Sequence, residues 1–324
     1  MFFGKLQVHV NCKDVTMRLL AHSITASLVF ISTASASNLD PLLSPSELSA
    51  LLGRTDPIIL DIRGDAYNEG HISGAISAPY GLFRGPKSNP GQLIDSDTLE
   101  ERFEALGLAT DRAIVIVSQG KTNSDFGAAA RVYWTLKSSG FTELAVLNGG
   151  TLGWVAAGQP IDSIAVTPEA TELDITFSYQ WTADTEQVVA ATKGEVDALL
   201  LDARPVSFYI GSKSHGAASR PGTLPEAKNY HYASFFAEGE AAISPIVDVE
   251  TLVATLGLEA GQEIVSFCNT GHWAATNWFA LSEVAGFENV KLYPGSMVEY
   301  SNLNLPMENT PGLLKNLMNS LSGD

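Results

Sequence analysis

The chain is 324 residues long, 45% apolar, and carries a formal charge of −17. That length allows two domains of ordinary size, and the apolar share supports packed cores and excludes disorder as a global state. The acidic balance excludes nucleic acid as a partner, because a phosphate backbone demands basic faces. Charge screening over roughly 8 Å at physiological salt leaves local donors in command of any anion site.

At the N-terminus Arg18 precedes an apolar run from Leu19 to Ile31, followed by Thr33–Ala34–Ser35–Ala36–Ser37. A charged start, a short apolar stretch and an Ala-x-Ala sequence together predict a signal peptide over residues 1–36. The run is too short to span a bilayer, so no stable membrane insertion is expected after cleavage; a signal anchor is the alternative. Met17 stands directly before Arg18, which suggests a translation start there and makes residues 1–16 an extension. The expected location is periplasmic or secreted. Of the two cysteines, Cys12 and Cys268, cleavage removes the first. A single thiol in an oxidising compartment forms no internal disulfide and points to reactivity.

Beyond the cleavage position, Ser44 and Pro45 read as the N-cap and first residue of a helix. Ile58 to Arg63 reads as a strand, followed by the turn Gly70–His71–Ile72–Ser73–Gly74–Ala75. A second strand, Ala113 to Val117, leads into Ser118–Gln119–Gly120–Lys121–Thr122, and a helical stretch follows from Ala128 to Leu136. A third strand, Leu144 to Leu147, ends in Asn148–Gly149–Gly150 and reaches Trp154. Strands alternating with helical patterns predict βα units and a mainly parallel sheet. Residues 161–178 are a polar linker between two domains, 37–160 and 179–310.

The second half repeats the first in order. Leu201–Asp202–Ala203–Arg204 repeats Leu60–Asp61–Ile62–Arg63, with the arginines 141 residues apart. Ile264 to Phe267 repeats Ile114 to Val117, and Gly295 follows Gly149 by 146 residues. The turn differs: Arg220 to Asn229 stands where the first copy has Gly70 to Ala75. The tail, residues 311–324, has an amphipathic pattern that suits packing on the body or a partner helix.

The strand Glu263 to Phe267 stops at Cys268, and a helical segment containing Trp278, Phe279 and Leu281 follows the loop. Such a strand–loop–helix turn aims backbone N–H groups at an anion, first of all the cysteine thiolate, whose pKa that setting lowers. The competing reading is an inert core cysteine. Arg204 has two readings, a clamp on a substrate anion or an ion pair with Asp202. His272 either assists proton transfer or sits at the rim. Trp273 lines the cavity or packs under the loop, and Ser296 and Glu299 are further candidates.

The Leu60–Arg63 strand, the Gly70–Ala75 turn, the glycine turn with Trp154, and a cysteine followed by five loop residues resemble the rhodanese family of sulfurtransferases. The resemblance covers about residue 40 to 305. It implies an α/β protein of two tandem rhodanese-like domains, each a mainly parallel sheet flanked by helices, with the first domain non-catalytic. Ser118 falls at or beside the position of Cys268, and the segment to Ser124 reads as longer than the second-domain loop. The implied activity moves a sulfane sulfur from thiosulfate, or a related donor such as mercaptopyruvate, to a thiophilic acceptor through a Cys268 persulfide. A protein acceptor is compatible, and no cofactor or metal is implied. Arg204 would lie at the substrate mouth, and Asn269, Thr270, Gly271, His272, Trp273 and Ala274 would bind substrate and hold the persulfide. The loop departs from the family's familiar ones, since no cation lies between Asn269 and Trp273. A related phosphatase pattern needs arginine six positions after the cysteine, where this chain has Ala274. The alternative function is a non-catalytic sulfur-binding or partner-docking module on the same scaffold.

Overall fold

The computed structural model describes residues 1–2 and 39–312. The expectations for the signal peptide, the Met17 start and the C-terminal tail fall outside the described residues.

The first lobe opens with β1 (Leu42–Leu43) and α1 (Pro45–Leu52). The Ser44 side chain and the Glu47 carboxylate cap α1 reciprocally, with Pro45 at its first position. Next come β2 (Ile58–Asp61), β3 (Ile76–Ser77), α2 (Ser96–Ala105) and β4 (Ile114–Val117). The lobe closes with α3 (Asn123–Ser138), β5 (Leu144–Leu147) and α4 (Gly150–Ala156). Its sheet has the order β1-β5-β4-β2-β3 and every pairing is parallel. β2, β4 and β5 are buried at every position, as strands covered on both faces must be.

The second lobe contains α5 (Thr185–Thr192), β6 (Ala198–Asp202), α6 (Val206–Tyr209) and β7 (Lys228–Asn229). It continues through α7 (Val249–Leu256), β8 (Glu263–Phe267), α8 (Trp273–Phe279), β9 (Val290–Leu292) and α9 (Ser296–Asn302). The sheet β7-β6-β8-β9 is again parallel throughout. A single parallel bridge between Thr182 and Leu292 stands where β1 pairs with β5 in the first lobe. Both sheets are therefore α/β units of one plan.

The repeat extends to the turn that the sequence had shown as altered. Arg63 holds Asp61 at 2.6 Å and donates to the Gly70 carbonyl at 2.6 Å. Arg204 holds Asp202 at 2.6 Å and donates to the Gly222 carbonyl at 2.9 Å. Gly222 thus takes the part of Gly70, and Thr223 bridges Glu308 as His71 bridges Asp162.

Residues 161–178 run without regular structure along the first lobe, tied to it by hydrogen bonds from Thr171 to Glu104 and from Ser178 to Ser138. The lobes meet through α3 and α8. Phe126 and Tyr133 of α3 pack edge-on against Phe279 of α8, with ring centroids 5.3 and 5.0 Å apart. Tyr133 also donates to Glu283 at 2.9 Å, and Lys137 pairs with the same carboxylate at 2.7 Å. These residues belong to one apolar cluster that runs through both lobes. Each fully buried side chain there contributes roughly 1.5–3 kcal/mol. α8 passes into a π-helical turn at Ala280–Val284, a widening that π segments introduce inside helices.

Candidate active site

β8 ends at Phe267, and residues 268–272 form the loop before α8 starts at Trp273. The loop is anchored from below by one hydroxyl. Ser296 Oγ accepts the N–H groups of Cys268 at 3.0 Å and Gly271 at 3.1 Å, and donates to the Tyr293 carbonyl at 2.8 Å. Met297 and Val298 donate their N–H groups to the carbonyls of Cys268 and Asn269, each at 3.0 Å. Ser296 holds this position with φ 52°, a backbone region that costs a residue with a Cβ on the order of 1 kcal/mol or more. Gly150, at φ 57°, is its counterpart in the first lobe. Three hydrogen bonds in a dry setting offset that strain.

Gly271 is required sterically. With φ 68°, a Cβ here would lie 2.3 Å from Arg131 Nη1 and 2.7 Å from the Pro294 carbonyl oxygen. The N–H groups of Asn269, Thr270, His272 and Trp273 have no acceptor among the described residues. These are the open amides of the loop, and open amides bind anions.

The first-lobe counterpart is closed. Residues 118–122 connect β4 to α3, so the two loops have equal length, against the expectation of a longer first-lobe segment. Asn123 and Ser124 read as loop because they are polar, but they open α3 behind a cap. That cap is Asp125, whose Oδ2 accepts the N–H of Lys121 at 2.7 Å and of Thr122 at 2.9 Å. A carboxylate of the protein occupies these two amides, at the end of the loop next to the helix. In the second lobe Ala275 stands at the same helix position and cannot.

Cys268 lies at the floor of a cavity of about 230 Å³ between the lobes. Arg84 and Ser124 come from the first lobe; His215, Asn269, Thr270, His272 and Trp273 complete the lining. The cysteine is 1% exposed, so the cavity is its route to reactants. Its thiol makes no hydrogen bond among the described residues, and it lies within electrostatic reach of Tyr80 and Arg131.

Arg204 does not line this cavity. It is 2% exposed, and Nε and Nη2 are spent on Asp202 at 2.8 and 2.6 Å, with Nη1 directed to Asn269 Oδ1 at 3.3 Å. The geometry is that of the ion-pair reading, with no free edge for a substrate clamp: Arg204 braces the loop through Asn269. Gly271 and Ala274 are buried beneath the lining, and the Ala274 carbonyl accepts from Ser266 Oγ at 3.0 Å. Glu299 faces Asn89 and Thr185 rather than the thiol.

His272 is half-buried and both ring nitrogens are occupied by the first lobe. Nε2 lies 2.9 Å from the Ser124 carbonyl, which can only accept, so Nε2 carries the proton and Nδ1 accepts from Tyr80 Oη at 3.0 Å. Burial, with Arg84 and Arg131 nearby, presses its pKa down to about 4, so the ring is neutral at physiological pH. Burial raises that of Tyr80, which stays a hydroxyl donor. A ring so engaged is not free to act as a base toward Cys268. Trp273 lines the cavity, donates its indole N–H to Ser124 Oγ at 2.9 Å, and is held between Tyr232, stacked at 5.3 Å, and the edge of Phe208.

Three lining residues, Arg84, Ser124 and His215, were not among the site residues the sequence suggested. Arg84 donates to the Thr270 carbonyl at 2.8 Å and lies over the Tyr80 ring at 5.2 Å. His215 accepts the Ala217 N–H at Nδ1, 3.2 Å, which leaves its remaining proton on Nε2; burial and then Arg84 lower its pKa. Behind the loop, Arg131 is 1% exposed and donates to the Gly271 carbonyl at 3.3 Å. Burial, and then Arg84, bring its pKa down to about 9, which leaves it cationic at neutral pH. No local motif marks these residues: packing of the lobes brings in Arg84 and Arg131, and the irregular segment between α6 and β7 brings in His215.

A family model for the rhodanese-like domain matches the chain twice, over residues 44–157 and 185–303. The chain is 26% identical over 290 residues to a putative thiosulfate sulfurtransferase of Synechococcus elongatus, spanning 86% of this chain and 88% of that protein. It is 29% identical over 268 residues to the thiosulfate sulfurtransferase of Pseudomonas aeruginosa, spanning 82% and 96%. Among solved structures, the anaerobic ergothioneine biosynthesis enzyme of Chlorobium limicola, in complex with trimethyl histidine, matches with a TM-score of 0.72 at 20% identity. That match covers 83% of this chain and 70% of that one, and is a likeness of fold.

Proposed function

The chain belongs to the rhodanese family, and from that premise we propose that it is a sulfurtransferase whose second lobe carries sulfur on Cys268. The donor is thiosulfate or a compact relative, because a cavity of about 230 Å³ lies below the size of sites that hold larger ligands. The Cys268 thiolate attacks the outer sulfur of the donor. A sulfur–sulfur bond forms to the enzyme as the one in thiosulfate breaks, and its electron pair leaves with sulfite. The persulfide anion then rests against the open amides of Asn269, Thr270, His272 and Trp273, which need no reorganisation to receive it. A thiophilic acceptor, cyanide in assay or a thiol in the cell, takes the outer sulfur and restores the thiolate. No external oxidant is required at either step.

The observation that carries this reading is the contrast between the two loops of equal length. In one, Asp125 occupies the amides of Lys121 and Thr122 and the strand ends at a serine; in the other, the amides of Asn269, Thr270, His272 and Trp273 stay open beside a thiol. The pattern from Arg18 to Ala36 supports export as part of the same proposal. The test is thiocyanate formation from thiosulfate and cyanide by the full chain. Ping-pong kinetics in the wild type and loss of turnover in Cys268→Ser are expected. Turnover that survives Cys268→Ser overturns the assignment. Sulfur uptake without transfer to any acceptor favours a binding module instead.

A further inference from the structure

Arg84 belongs to the lobe without a thiol, yet it lines the same cavity as Cys268. Its guanidinium is held at two places: Nη2 donates to the Thr270 carbonyl at 2.8 Å, and the plane lies over the Tyr80 ring at 5.2 Å. Nη1 is buried and has no hydrogen-bond partner. Among the described residues no carboxylate pairs with Arg84, although the chain holds 36 acidic residues against 19 lysines and arginines. A surplus of acid elsewhere and none here leaves Arg84 a cation without a carboxylate in the wall of the cavity, while the other nearby cation, Arg131, lies behind the loop and outside the lining. A buried donor without a partner is costly to keep, and a bound anion relieves that cost.

The catalytic loop itself supplies no positive charge, since Asn269 to Trp273 contain no lysine or arginine. Attack by a thiolate on a doubly charged donor brings like charges together, so a counter-charge has to come from elsewhere. We propose that Arg84 binds the terminal oxyanion of the donor, so that the first lobe supplies the recognition charge for chemistry on the second. This rests on the sulfurtransferase reading of Cys268 and adds the residue that recognises the donor's oxyanion end. As the donor's sulfur–sulfur bond breaks, its electron pair goes to the leaving sulfite, whose oxygens face the free edge of the guanidinium. His215, with a proton on Nε2 and its Nδ1 engaged by Ala217, stands in the same lining as a second donor to those oxygens.

The experiment compares two donors that transfer the same sulfur, thiosulfate and the methanethiosulfonate anion, in which a methyl replaces one charged oxygen. Full-length wild type, Arg84→Gln and Arg84→Lys are assayed for turnover with cyanide, and sulfur loading of Cys268 is read by intact mass. In Arg84→Gln both donors lose whatever the Thr270 contact supplies, and kcat/KM for thiosulfate falls about 10- to 100-fold further than kcat/KM for methanethiosulfonate, the range for one charge-assisted hydrogen bond to an anion. Arg84→Lys keeps the charge without the fork and recovers part of the thiosulfate preference. A role limited to holding the Thr270 carbonyl slows both donors alike, and that result overturns the proposal. An unmoved thiosulfate kcat/KM in Arg84→Gln, with an active wild type, defeats the Arg84 assignment alone. A wild type that loads sulfur from neither donor defeats the sulfurtransferase reading with it.

Discussion

Gly127 sits in α3 where that helix crosses the catalytic loop. A Cβ added there would lie 2.9 Å from the His272 carbonyl oxygen, 3.2 Å from His272 Nε2 and 3.2 Å from Thr276 Oγ1. Two effects oppose each other in Gly127→Ala. Alanine in a helix interior gains about 0.8–1 kcal/mol over glycine. Forcing a methyl into a packed contact costs about 1–3 kcal/mol, and here the nearest obstacle is backbone that cannot rotate away. The carbonyl is also anchored, since it accepts the Ala275 N–H at 3.2 Å, and both helices are pinned by Phe126, Tyr133 and Phe279. The steric cost therefore wins, by about 1 kcal/mol, which lowers Tm by about 2–4 °C in a chain of this size. The yielding element is the loop at His272, so sulfur transfer falls as well. Thermal unfolding and thiocyanate formation, measured side by side on purified variant and wild type, decide the matter. A Tm that rises by the full helix gain, with activity intact, refutes close packing between α3 and the loop.

His272 makes stability acid-sensitive. Its folded pKa is about 4 against an ordinary value of 6.5, so between those limits the unfolded chain binds a proton that the folded one refuses. The contribution is complete above about pH 6.5 and lost as pH falls toward 4, at up to about 1.4 kcal/mol per unit and about 3 kcal/mol in all. His215 and His231, both lowered by burial, act in the same direction. Urea unfolding across that window should show a shallower pH slope in His272→Gln; parallel slopes for variant and wild type contradict the linkage. The closed loop of the first lobe gives another prediction. In a Cys268→Ser background, Ser118→Cys acquires no sulfur from thiosulfate while Asp125 occupies the Lys121 and Thr122 amides, and adding Asp125→Ala permits loading. Intact mass reads both, and sulfur uptake by the Ser118→Cys protein with Asp125 still in place would falsify the plugged-loop account.

The two sheets were legible because their central strands are uninterrupted apolar runs that recur at nearly constant spacing. Leu60–Arg63 and Leu201–Arg204 announce the same strand end twice, and the structure gives them the same ion pair. The thiol loop was legible for a similar reason: Glu263 to Phe267 can only be a buried strand, and it stops at the cysteine. The first-lobe loop was misjudged because Asn123 and Ser124 look like loop residues until the Asp125 cap is seen to start the helix before them. Arg204 is ambiguous from spacing alone, since a clamp and a brace both require an arginine two positions after an aspartate. Arg84 and His215 were out of reach altogether. Neither sits in a motif: Arg84 reaches the site only through the docking of the two lobes, and His215 through a long irregular segment between α6 and β7 of the second lobe.

That docking makes each half depend on the other. The repeated halves share one plan, yet the thiol lies on one half while its neighbouring cations, Arg84 and Arg131, lie on the other. A free-standing second half would inherit the nucleophile without its counter-ions, and a free-standing first half would inherit counter-ions with nothing to serve.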